Sequence, residues 1–195
     1  MEVGFFSLST FLAARLGSVE GAAHQITLQV ASTTFMLPLG MSSAAALMIA
    51  RALGEGDLLR ARLVARVSLF YPAVFMAGIG IGIYLFATPV ARFFTEDPAT
   101  LQMTPALFAI AAAFQVFDCT QAIGSGVYRG FGRTRDPFLA NLVGHWLIGL
   151  PMTWVAGKYL GLGLPGIWLG LCTGLAAVAG LLVYGLRREI KVSIA

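Results

Sequence analysis

Two carboxylates in this sequence are placed where they could do chemistry, and Asp118 is the first. Asp118 has Gln115 three residues before it and Gln121 three residues after it, so all three fall on one stripe of a helix. It lies eleven positions before Arg129, roughly 16 Å along a straight helix, inside the apolar run Leu101–Val127. A charge centred in hydrocarbon costs at least ~2.5 kcal/mol, so an ionisable group at that depth points to function. The chemistry open to it is uptake of a proton or a cation. The alternative is a plain hydrogen bond to a neighbouring helix. In either case the stripe must face protein or water, because lipid cannot satisfy it.

Glu2 is the second such carboxylate. Counting back from Arg15 sets it roughly 20 Å below that end of its helix, with Ser9 on the same face at i+7. Polar faces recur elsewhere. Gln25, Gln29 and Ser32 share one face at helical spacing, and Asn141 and His145 stand at i and i+4. A water-filled cavity would need several helices to turn these faces toward each other; each face alone reads as interhelical hydrogen bonding. His145, beside Trp146, reads as a packing histidine, and His24 is expected nearer an interface. Cys119 and Cys172 both fall in apolar runs, which suits reduced packing cysteines better than a disulfide or a metal pair.

The elements that must carry these residues are membrane spans. Of the 195 residues, 58% are hydrophobic and 11% charged, against about a quarter charged in a soluble domain. Six apolar segments can be drawn: Val3–Ala14, Ala22–Ala50, Leu63–Thr88, Leu101–Val127, Phe138–Gly157 and Gly161–Leu186. Five suit the ~20 residues that a bilayer requires. The first is short before Arg15, which predicts a helix begun upstream and a chain that is a fragment. No basic stretch precedes it, so it does not read as a cleaved signal peptide.

Arginines follow the even-numbered segments: Arg51, Arg60, Arg62 and Arg66; then Arg129, Arg133 and Arg135; then Arg187, Arg188 and Lys191. The opposite side has Arg15, Arg92 and Lys158. The positive-inside rule puts the arginine-rich loops and the C-terminus in the cytoplasm of a multi-pass cell-membrane protein. Cations confined to short loops also argue against nucleic acid as a partner. Leu53-Gly54-Glu55-Gly56-Asp57-Leu58-Leu59-Arg60 predicts a helix stop followed by a short amphipathic surface helix. Pro38 and Pro72 predict kinks. Gly166, Gly170 and Gly174, four residues apart, predict close helix packing.

The order of motifs resembles the second lobe of the multidrug and toxic compound extrusion (MATE) family of transporters. The matching runs are Glu2 in the opening helix, Gly21-Ala22-Ala23-His24-Gln25-Ile26, Leu37-Pro38-Leu39-Gly40-Met41-Ser42-Ser43-Ala44, and Ala52-Leu53-Gly54-Glu55-Gly56-Asp57. They continue with Phe114-Gln115-Val116-Phe117-Asp118 and Ile123-Gly124-Ser125-Gly126-Val127-Tyr128-Arg129-Gly130. The resemblance implies an all-α lobe of six transmembrane helices, the first truncated, equivalent to helices seven to twelve of a two-lobed antiporter. It implies export of bulky, often cationic, organic compounds against Na+ or H+, with no other cofactor. Asp118 and Glu2 fall where the family binds its coupling cation. Gln25, Gln29, Phe114, Gln115, Gln121 and Asn141 are then candidates for lining the substrate cavity, with Phe114 standing where some members carry an aromatic hydroxyl. The match is to one lobe, so a first lobe is an expected partner and this chain is not expected to transport alone.

Three other readings compete. A flippase for lipid-linked or polysaccharide substrates would want a basic cavity, and no Arg or Lys lies at mid-span. A different class is an accessory or structural membrane subunit with no transport role. An intramembrane enzyme lacks paired aspartates, a nucleophile with a base, or metal-ligand spacing within the spans.

Overall fold

The computed structural model describes the backbone of residues 2–192 and the side chains of residues 3–187. The described chain is built of helices: α1 (Glu2–Ala14), α2 (Ser18–Gly54), α3 (Leu58–Leu85), α4 (Ala87–Phe94), α5 (Pro98–Gly130), α6 (Arg135–Tyr159) and α7 (Gly163–Val192). Among the described residues, α2, α3, α5, α6 and α7 are each long and apolar enough to cross a membrane. α1 is a shorter apolar helix of 13 residues.

Local chemistry sets the helix ends. Gly56 (φ 75°) and Gly132 (φ 76°) supply the left-handed turns after α2 and α5. Asp57 accepts the Arg60 backbone N–H at 2.8 Å and so caps α3. This cap corrects one expectation: Leu58, Leu59 and Arg60 form the first turn of α3, not a separate surface helix. The short amphipathic helix lies instead at α4, which buries Ala87 and Ala91 and leaves Phe93 exposed. The third apolar segment accordingly ends at Leu85, before Thr88. Asp97 caps α5 by accepting from the backbone N–H of Thr100 at 2.8 Å and its hydroxyl at 2.7 Å, with Pro98 at the first helical position. Pro38 and Pro72 are buried inside helices that continue through them.

α5 is the hub, packed against α2, α3 and α7, while α6 leans mainly on α7. Hydrophobic side chains gather into two large clusters at opposite ends of the bundle. One contains Phe5, Leu107, Phe114, Trp168, Leu171 and Leu175. The other contains Ile49, Cys119, Ile123, Val127, Val178 and Leu182. Cys119 and Cys172 are free thiols associated with different clusters.

The glycine spacing on α7 does what small residues do in a helix seam. A methyl placed on Gly166 would lie 2.5 Å from the Ala156 carbonyl oxygen, and one on Gly174 would lie 2.9 Å from Gly149 Cα. On Gly170 it would collide with Thr153. Without side chains at these positions α6 and α7 approach backbone to backbone. Two stretches of α6, Leu142–Gly149 and Val155–Tyr159, are wound with wide i→i+5 turns. Pro151, which has no N–H to donate, sits in the α-helical turn between them.

Candidate functional site

The two apolar clusters exchange places along α5 between Phe114 and Cys119. Asp118 occupies that waist and is 5% exposed. Its stripe partners are interior as well: Gln115 is 1% exposed and Gln121 3%. From Asp118 to Gly130, the last residue of α5, the helix runs about 18 Å. The carboxylate is therefore remote from that end of the bundle.

Each amide is tied to a different helix. Gln115 Nε2 donates to Thr34 Oγ1 of α2, leaving Gln115 Oε1 buried with no hydrogen-bond partner. Gln121 Nε2 donates to Asn141 Oδ1 at 3.0 Å, and Asn141 Nδ2 donates to the Pro137 carbonyl at 2.8 Å. The stripe thus joins α2, α5 and α6 through polar contacts at the level where hydrophobic packing changes hands. Ser125 continues the same spacing and buries a hydroxyl that has no partner. Buried oxygens of this kind have lone pairs free to ligate a hard cation or to accept a hydrogen bond from a water.

A cleft of about 440 Å³ opens beside the stripe between α2, α5 and α6, where Gln121, Ser125 and Asn141 meet Ser42 and Arg129. Arg129 Nη2 donates to Ser42 Oγ at 3.1 Å, and Ser42 Oγ donates to the Ala122 carbonyl at 2.7 Å. A methyl on Gly126 would fall on Ser42, so α2 and α5 are in backbone contact at this level.

The remaining candidates separate into groups. Gln25 and Gln29 stand exposed on one face of α2. Phe114 is 1% exposed and packs edge-on against Trp168, ring centroids 5.5 Å apart; it belongs to the core and does not border the cleft. Glu2 lies outside the described side chains. His24 is buried within the bundle, in the second turn of α2. It is 1% exposed, shares a hydrogen bond with Thr10 Oγ1 at 3.1 Å, and lies against Trp168 at 5.7 Å. His145 is buried too, with Nδ1 3.2 Å from the Asn141 carbonyl and its ring edge-on to Phe5. Thr34, Ser42, Ser125 and Arg129 were not among the candidates. The i+7 step from Asp118 could have found Ser125; no spacing signal links Thr34 or Ser42 to α5.

Five membrane-length helices, one of them carrying a buried polar waist, define a polytopic α-helical membrane protein. The MatE family model matches residues 1–155, and the chain belongs to this family of transporters. It is 39% identical over 183 residues to the multidrug resistance protein NorM of Burkholderia vietnamiensis, covering 91% of this chain and 39% of that protein. It is 34% identical over 190 residues to the multidrug resistance protein MdtK of Yersinia pseudotuberculosis, covering 95% of this chain and 42% of that protein. The fold superimposes on the crystal structure of the Vibrio cholerae MATE transporter VcmN with a TM-score of 0.90 at 18% identity, over 98% of this chain and 43% of that one. The chain thus spans about two fifths of the length of the proteins it matches.

Proposed function

We propose that this chain is the C-terminal lobe of a secondary active transporter that expels bulky organic cations in exchange for Na+ or H+. The observation that carries the reading is the buried Asp118 at the waist of α5, in a family whose relatives are named multidrug resistance proteins. A carboxylate held out of water can be neutralised by a proton, a Na+ ion or a cationic drug. Occupancy by one excludes the others, which couples their movements in opposite directions. Gln115 and Gln121 steady the helix around it through Thr34 and Asn141. In this reading Glu2 shares the coupling cation, and Gln25, Gln29, Gln121 and Asn141 face the substrate path. Phe114 supports that path from within the core.

Alternating access needs a second body to rock against, so the first lobe is the required partner. The orientation proposed from loop charge has the arginine-rich loops and the C-terminus in the cytoplasm.

The test is Asp118→Asn in the intact transporter. The change keeps volume and removes the titratable charge. Ion-gradient-driven export of a fluorescent cationic dye is expected to fall to background while membrane insertion is unchanged, with Glu2→Gln acting alike. Normal export with normal ion dependence in the Asp118 variant would refute the coupling role.

A further inference from the structure

A second groove lies on the opposite side of the molecule from the arginine-rich loops. α1 and α6 run side by side toward that end, and two cavities follow their length. The first, about 570 Å³, is bordered by Phe11, Leu12, Trp154 and two cations, Arg15 and Lys158. The second, about 470 Å³, shares Phe11, Leu12 and Trp154 and continues past Leu8, Leu150 and Pro151 with an entirely apolar lining. Leu8 and Leu12 on α1, with Arg15 just past its end, run parallel to Leu150, Trp154 and Lys158 on α6, so both cations stand at one mouth. Between the apolar end and the cationic end the groove extends roughly 10–12 Å at 1.5 Å per residue.

The cations are held ready. Arg15 lies over the Phe11 ring at 4.7 Å and Lys158 over the Trp154 ring at 5.0 Å. Among the described residues neither forms an ion pair, although Arg51, Arg60 and Arg133 all do. Both are exposed. Below them Phe11 (54%) and Trp154 (45%) leave apolar surface uncovered. A cationic mouth at the level where an apolar helix leaves hydrocarbon, with an open apolar groove beneath it, complements a phospholipid: anionic phosphate above, acyl chain below.

We propose that the α1–α6 groove is a binding site for an anionic phospholipid of the leaflet opposite the arginine-rich loops. Its headgroup phosphate engages Arg15 and Lys158, and one acyl chain lies along Leu8, Leu12 and Leu150 against Trp154. The site is separate from the stripe around Asp118, and its occupancy does not depend on which ion or substrate is transported.

The probes are phosphatidylglycerol and phosphatidylethanolamine with identical acyl chains, added to the intact protein in a neutral detergent and followed by native mass spectrometry. Tighter retention of phosphatidylglycerol is expected, weakened about five-fold by Arg15→Gln or Lys158→Gln alone and about 25-fold by both. Arg92→Gln, which neutralises a cation of α4 outside the groove, should leave it unchanged. A second measurement needs no cation variant. Phosphatidylglycerol brominated on its acyl chain should quench the fluorescence that Trp154→Phe removes, and do so more strongly than brominated phosphatidylethanolamine. Equal retention and equal quenching by the two lipids would overturn the proposal. The same would follow if another part of the protein covers the groove, since neither lipid would then reach Trp154.

Discussion

Replacing Gly166 by alanine sets two opposing effects against each other on one helix. Gly166 lies in the first turn of α7, so the propensity gain from a methyl group is at most the about 0.8–1.0 kcal/mol of a helix interior. At Gly166 that methyl would sit 2.5 Å from the Ala156 carbonyl oxygen and 2.9 Å from the Gly157 nitrogen, where ordinary contact starts at 3.4 Å. The obstacle is backbone, which cannot rotate away, so the α6–α7 seam must open by roughly 0.9 Å locally. Overpacking of this kind costs typically 1–3 kcal/mol, and a gap of 0.5–1 Å also forfeits about a quarter to a half of each neighbouring dispersion contact. The net expectation is destabilisation of about 1–2 kcal/mol. Gly180, on the same helix, has nothing within 4 Å of an added methyl, so Gly180→Ala should stabilise by up to about 1 kcal/mol. Thermal unfolding of the purified protein in detergent, followed by tryptophan fluorescence, reads both. At about 2–4 °C per kcal/mol the two variants should move the midpoint in opposite directions. Shifts of the same sign, or a Gly166 variant as stable as the parent, would show that the seam is not in backbone contact.

Three further outcomes are expected. A double-mutant cycle between Gln121→Ala and Asn141→Ala should give a coupling of about 0.6 kcal/mol in unfolding measurements, the usual size for a hydrogen bond between membrane helices; zero coupling would remove the α5–α6 link. A cysteine at Gly132 should resist impermeant thiol reagents in intact cells and react after lysis, and labelling in intact cells would reverse the orientation. The hydrogen bonds from Thr100 hold the exposed Asp97 carboxyl below its ordinary value of 3.8. Its support for the first turn of α5 is therefore fully present above that value and lost as the pH falls through the lower folded one. Hydrogen-exchange protection at Thr100 and Leu101, taken relative to the intrinsic rate at each pH, should fall over that acid range and become insensitive to it in Asp97→Ala.

The sequence alone determined the features that depend on local composition. Apolar length set the spans, because hydrocarbon thickness admits few solutions. Glycines every fourth residue set a close-packed face on α7, because only a missing side chain allows that approach, while the fold decided that α6 fills it. The placement of Asp118, Gln115 and Gln121 on one stripe follows from helical period, and the order of motifs was enough for the family. The tertiary structure decided which partner each polar group meets. Gln115 and Gln121 share a stripe yet reach different helices, Thr34 on α2 and Asn141 on α6, since neighbouring turns of α5 face different neighbours. Phe114 and Gln25 had equal claims to the substrate path; packing buried the first against Trp168 and left the second on an open face. His24 carries nothing locally that names its neighbours, and only the fold set it against Trp168 on α7. The wide turns of α6 have no compositional signature either. Periodicity tells which residues share a face, but what that face touches depends on helices distant in the chain.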